Sequence, residues 1–135
     1  MPVRIKDPAA VGLFTGRLSQ DPSQLAGSRW DGSTASGKIY HDAYYKLTVI
    51  AAAQTIADAG AAAGVSGHEL ALRWTIYHST LRREHGDAVL IGASSLSQLI
   101  QNHDAVDAGP LNEALAKLVS KVGDLVGDEA AAYHV

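Results

Sequence analysis

Gly86-Asp87-Ala88-Val89-Leu90-Ile91-Gly92-Ala93-Ser94-Ser95-Leu96-Ser97-Gln98 is the most informative run in the chain. Ala88 to Ile91 is a short continuous apolar segment bounded by glycines, the pattern of a strand buried on both faces as in a parallel sheet. Ser95-Leu96-Ser97-Gln98 follows as a capping box, with the Ser hydroxyl and the Gln side chain placed to satisfy free N–H groups at a helix start. The run therefore predicts strand, loop, helix. A lone strand leaves its ladder hydrogen bonds unpaired. Its partner is expected to be the Val3–Ile5 segment, another copy of the chain, or sheet encoded elsewhere.

Working outward, Ser66-Gly67-His68-Glu69 is a second capping box. It opens a helix carrying Leu70, Trp74, Tyr77 or His78, and Leu81 on one face, with Glu69 and Arg73 as an i,i+4 pair on another. Further upstream, a helix is expected from about Asp42, with Tyr44, Leu47, Thr48, Ala51, Thr55 and Ala59 at steps of three and four and a stop at Gly64. Downstream of the strand, Leu96, Leu99, Ile100 and His103 share a stripe. Gly109-Pro110 marks a stop and restart. Leu111, Leu115, Leu118, Val122 and Leu125 form the stripe of the last helix, and the Ala-rich tail from Gly127 is expected to fray. The first forty residues are dense in turn formers (Asp7-Pro8, Gly12, Gly16, Asp21-Pro22, Gly27-Ser28, Asp31-Gly32-Ser33) and read mainly as loop. The expectation is one domain over 1–135, loop-rich over 1–40 and mainly helical over 41–135: mostly α with one or two short β-strands.

Composition narrows the function classes. At 135 residues, 47% apolar and 19% charged, the chain suits a globular fold with one core. A formal charge of -3 and a pI near 6.0 argue against nucleic acid as a partner, since phosphate neutralisation needs a basic face. There is no cysteine, which removes disulfides, thiolate nucleophiles and Cys-based zinc sites. The N-terminal residues Met1 to Asp7 lack the apolar core of a signal peptide, and Leu47 to Ala63 is broken by Gln54, Asp58 and Gly60. No membrane association and a cytoplasmic setting are the expectation.

Several segments in register resemble the aldo-keto reductases, in particular the aflatoxin-aldehyde-reductase-like branch and its fungal relatives. These are Ala71-Leu72-Arg73-Trp74, His78-Ser79, Glu84 through Leu96, Gln101-Asn102 and Gly109-Pro110-Leu111. Pro8 to Arg17 is similar to that branch's Asn-Pro-Leu-Ala-Gly-Gly-Leu-Leu-Thr-Gly-Lys loop. Arg29-Trp30-Asp31, Gly37 to Tyr40 and Asp42 to Tyr45 follow its loop-to-helix region. The resemblance implies a remnant of the C-terminal portion of a (β/α)8 barrel. It implies that the family's catalytic Asp, Tyr, Lys and His align with nothing in this chain.

The same resemblance implies that Gly92, Ala93, Ser94, Ser95, Gln98, Gln101 and Asn102 match the positions holding the adenosine 2′-phosphate and adenine of NADP. Free N–H groups at a helix N-terminus attract phosphate. This loop has no Lys or Arg, Lys6 stands where the family has a ring that stacks on nicotinamide, and Val11 replaces a loop glycine. The cofactor site is therefore expected to be vestigial, and the expectation is no cofactor.

A second cluster, Lys38 to Lys46, carries acid–base side chains. His41 beside Asp42 offers a base and its orienter, and Tyr40, Tyr44 and Tyr45 offer hydroxyl donors. The competing reading is a helix start with Asp42 as N-cap. Trp30, in a Gly- and Asp-rich loop, is placed with Trp74 and His78 as candidate pocket lining, although Trp74 also reads as core and His78 as structural. His78 and His85 are seven apart, too far to share a metal ion unless the chain bends. No metal site is expected.

These residues favour an enzyme that has left redox chemistry: a cofactor-independent cyclase, isomerase or dehydratase acting on a hydrophobic natural-product intermediate in fungal-type secondary metabolism. Apolar surface that once faced lost strands is expected to be buried in a homodimer or higher oligomer. The alternatives are a non-catalytic pairing or regulatory subunit, and the C-terminal half of a split NADPH-dependent reductase.

Overall fold

The structure, a computed structural model, describes residues 2–6, 8, 10–15, 18 and 22–130, without the side chains of residues 6, 11 and 22. The turn formers Asp7, Gly16 and Asp21, the tail residues 131–135 and the bulk expected at Val11 lie outside what is described.

In chain order the elements are β1 (Arg4–Lys6), two 3₁₀ turns (Ala10–Thr15, Pro22–Leu25), α1 (Ala35–Tyr44), α2 (Leu47–Ala62) and α3 (Gly67–Tyr77). A 3₁₀ turn (Arg83–His85), β2 (Ala88–Leu90), α4 (Leu96–Asp107), α5 (Glu113–Val126) and a last 3₁₀ turn (Gly127–Glu129) complete it. The fold is mostly helical with two short strands, as the patterning predicts. β1 supplies β2's partner: they run parallel with Arg4 against Ala88, Ile5 against Val89 and Lys6 against Leu90. Asp87 locks the entry, its carboxylate accepting from the Val3 and Arg82 N–H groups at 2.7 and 2.8 Å.

α2 is the organising helix, apolar enough to bury two faces. Val49, Ile50 and Ala53 pack with Leu13, Leu18, Leu25 and Trp30. Ala52 and Ile56 pack with Leu70, Leu111 and Val122. Fully burying a side chain such as Ile56 or Leu70 contributes about 2–3 kcal/mol. Close approach of the 10–15 turn to α3 requires Gly67, where a Cβ would collide with the Phe14 carbonyl.

The helical reading is corrected in four places. The helix expected from Asp42 is two helices: α1 starts seven residues earlier, at Ala35, under a Thr34 cap whose Oγ1 accepts from Gly37 N–H at 3.0 Å. Asp42 thus lies in the last turn of α1 and is not a cap. Along α2, the residues Leu47, Thr48, Ala51 and Thr55 face solvent, and the buried face is shifted to Val49, Ile50, Ala52, Ala53 and Ile56. In α4 the apolar stripe Leu96, Leu99 and Ile100 is exposed, while Asn102 and Ala105 are buried. The α5 stripe is placed as read at Leu111 and Val122, but Leu125 is exposed.

Candidate functional site

Two groups of predicted site residues lie apart, and the structure treats them differently. The first surrounds Trp30. Its ring meets Tyr40 and Tyr44 edge-on, with centroids at 6.3 and 5.8 Å, a favourable arrangement for aromatic quadrupoles. His41 stacks on Tyr45 at 4.4 Å. A groove of about 260 Å³ is lined by Leu25, Ala26, Trp30, Asp31, Gly32 and His41. The loop on its rim is held by Asp31, whose carboxylate accepts from the Gly27 and Ser33 N–H groups and the Ser33 hydroxyl. Those bonds, the Ser33 hydroxyl first, lower the Asp31 pKa to about 2.

The acid–base pairing expected there is not formed. His41 Nδ1 lies 3.7 Å from Asp42 Oδ1, too long for the hydrogen bond by which a carboxylate orients a base. Asp42 instead accepts from Lys38 Nζ at 2.9 Å, chiefly because of which its carboxyl is held below the ordinary range. Trp74 and His78 do not line this groove. Trp74 Nε1 donates to Ser120 Oγ at 3.0 Å, and His78 Nε2 accepts from Leu111 N–H at 2.9 Å. Both fasten α3 to the chain around α5. Among the described residues no His, Asp or Glu cluster could hold a metal ion.

The second group forms a continuous surface at the end of β2. Residues 91–101 are all exposed, so Gly92, Ser94, Ser95, Gln98 and Gln101 lie along one open ridge. Ser95 caps α4, its Oγ accepting from Gln98 N–H at 3.2 Å. Ser94 donates both its N–H and its hydroxyl to Gln98 Oε1, at 2.9 and 2.8 Å. An amide oxygen thus sits where two donors converge, a place an anionic oxygen could take, with the helix dipole favouring negative charge. Asn102 is different: it is 5% exposed, donates from Nδ2 to the Gly92 carbonyl at 3.4 Å, and has Oδ1 2.7 Å from His68 Nε2. Sequence reasoning missed His68, because 34 residues separate it from Asn102 and no local spacing signals the contact. It also missed the second task of Arg73. Beyond Glu69, its guanidinium donates to the carbonyls of Gly109 and Pro110 at 2.8 and 3.0 Å, closing the turn after α4.

No family model matches the chain. Individual relatives do. The chain is 37% identical to Oxidoreductase sirO of Leptosphaeria maculans over 95% of its own length, covering 38% of that protein. An aldo-keto reductase of Pseudocercospora fijiensis (strain CIRAD86) is 33% identical over 93% of the chain, with 43% of its length covered. Aflatoxin B1 aldehyde reductase member 2 of Homo sapiens is 33% identical over 94%, with 37% covered.

The chain is an aldo-keto-reductase-like segment.

It spans about two-fifths of the length of the curated relatives it matches. The similarity to aldo-keto reductases corrects one expectation, that of no cofactor. The expected absence of a cofactor rested on a loop without Lys or Arg, on Lys6 and on Val11, yet the relatives are named as an oxidoreductase, an aldo-keto reductase and an aldehyde reductase, and the chain has a serine-capped helix start after β2. Lack of a basic side chain in the loop does not remove backbone N–H groups, which bind anions themselves. Among the described residues no single helix of the segment is long and apolar enough to cross a membrane.

Proposed function

We propose that this segment carries the adenosine end of NADPH in an aldo-keto reductase, and that hydride transfer takes place only with residues beyond these 135. The observation that carries the reading is the exposed turn from β2 into α4. There the Ser94 N–H and hydroxyl converge on one acceptor, and the helix N-terminus adds its partial positive charge. A nucleotide 2′-phosphate would take the place of Gln98 Oε1, and the freed Gln98 amide could turn to donate. Gln101, one turn further along, would face the base.

The apolar surface around this turn supports the second half of the proposal. Leu90, Ile91, Leu96, Leu99 and Ile100 are each more than a third exposed and lie close in sequence on β2 and α4. A surface of that kind marks an association site. Two strands of three residues are too small a sheet to stand alone. The remaining strands and helices of a reductase barrel are the occupant that completes both.

Titration of the 135-residue chain with 2′,5′-ADP and with NADP+, followed by protein NMR, tests the reading. Shifts confined to residues 92–102, with 2′,5′-ADP binding better than 5′-AMP, are expected. Binding at the Trp30 groove, or equal binding of the two nucleotides, would be the failure.

One observation favours a second reading, that the Trp30 groove binds a hydrophobic small molecule for acid–base chemistry. His41 lines an open volume beside an indole wall. Protection of Trp30 fluorescence by aromatic ketones, lost in His41→Ala, is its test.

A further inference from the structure

His68 is placed by neither the capping-box reading nor the family resemblance, yet it makes the closest polar contact of the buried Asn102. We infer that His68 is a positioning residue: it holds the Asn102 amide in one orientation, and Asn102 in turn fixes the Gly92 carbonyl at the root of the turn that receives the nucleotide. The inference rests on the proposed nucleotide site.

The hydrogen-bond chemistry fixes the arrangement. The Gly92 carbonyl can only accept, so the Asn102 group facing it at 3.4 Å must be the amide nitrogen. The amide oxygen then faces His68, and the ring nitrogen 2.7 Å away must carry a proton. His68 is consequently the Nε2–H tautomer when neutral. The opposite amide orientation would set two oxygens against each other at Gly92 and is excluded on that ground. Asn102 is 5% exposed, so water cannot replace a lost partner on Oδ1. The relay joins the second residue of α3, the middle of α4 and the residue two beyond β2. Ser94 and Ser95 lie two and three residues past Gly92, close enough that a loose Gly92 would blur the placement of their donors. Binding then costs more, because the turn must be ordered when the nucleotide arrives.

The experiment compares the wild-type 135-residue chain with His68→Phe, His68→Asn and His68→Gln. Gln can bring an amide nitrogen to the position of Nε2, Asn stops short of it, and Phe offers no donor. In the wild type without nucleotide, nitrogen NMR should show the neutral form of His68 protonated at Nε2 and bare at Nδ1. The Asn102 side-chain amide pair should move in the Phe and Asn variants and return in Gln. Affinity for 2′,5′-ADP should fall on the order of tenfold in Phe and Asn, as expected for an unpaired buried acceptor, and recover in Gln. A neutral His68 protonated at Nδ1, or an Asn102 amide unmoved by His68→Phe, overturns the relay whatever the nucleotide does. Should both spectral signatures hold while wild type binds no 2′,5′-ADP, the nucleotide reading has failed and the positioning role falls with it, the hydrogen bonds themselves standing. If binding is lost equally in Gln, the role is overturned with the nucleotide site intact.

Discussion

The Leu111 N–H donates to His78 Nε2 across 2.9 Å, so the end of α3 holds the residue that begins the approach to α5. The bond fixes His78 as the Nδ1–H tautomer, the opposite of His68, because a nitrogen that accepts cannot also carry the proton. Replacing His78 by Phe leaves a half-buried N–H without an acceptor. A loss of about 1–3 kcal/mol is expected, read as a lower urea midpoint at unchanged slope. A midpoint equal to wild type would mean that water replaces the imidazole.

Asp87 governs the strand pair. Its carboxyl is held below the ordinary 3.8, first by the Val3 N–H and then by the Arg82 N–H. The native state therefore prefers the charged form, and the stabilisation is fully present above 3.8. It is lost as pH falls from there through the lower folded value. Asp31 behaves with the same sign, over a window from 3.8 down to about 2. Asp87→Asn should uncouple β1 at neutral pH, since an amide can accept from one of the two N–H groups only. Hydrogen exchange at Ala88 N, which donates to Val3 O at 2.9 Å, should accelerate, and equal protection in the variant would refute the claim.

The exposed face of α4 separates stability from association. Leu99→Glu with Ile100→Lys should leave thermal stability of the isolated chain within about 0.5 kcal/mol, because both side chains are half in water already. Self-association, or capture of the remainder of a reductase barrel, should weaken in sedimentation velocity. A chain that unfolds on this double change would place the stripe in the core, as the periodicity alone suggests. Persistent dimers would point instead to a second copy docking elsewhere.

Two glycines in helices should respond in opposite directions. Gly67→Ala drives a methyl into the Phe14 carbonyl and should cost about 1–3 kcal/mol through displaced backbone. Gly123→Ala, in α5 with nothing near its Cβ, should raise stability by up to about 1 kcal/mol through a stiffer unfolded chain. Melting temperatures of the two variants decide this, and a shift in the same direction for both would contradict the packing described.

What the sequence determined by itself is local. Ser66 and Ser95 cap the helices they were expected to open, Glu69 pairs with Arg73, and Ala88–Leu90 is a strand, because caps, i,i+4 pairs and short apolar runs depend on neighbours a few residues away. The order of motifs was also enough to indicate the aldo-keto reductase relationship. The tertiary structure decided which side of each helix is buried. Leu47 and Ala51 lie in water while Val49 and Ile50 are covered, because α2 is apolar on most sides and periodicity cannot rank its faces. It likewise decided that Asn102 points inward to His68 and that His41 stacks on Tyr45 instead of bonding Asp42. Such contacts are set by how helices cross in space, and no spacing along a chain encodes a partner 34 residues away until the core between them has closed.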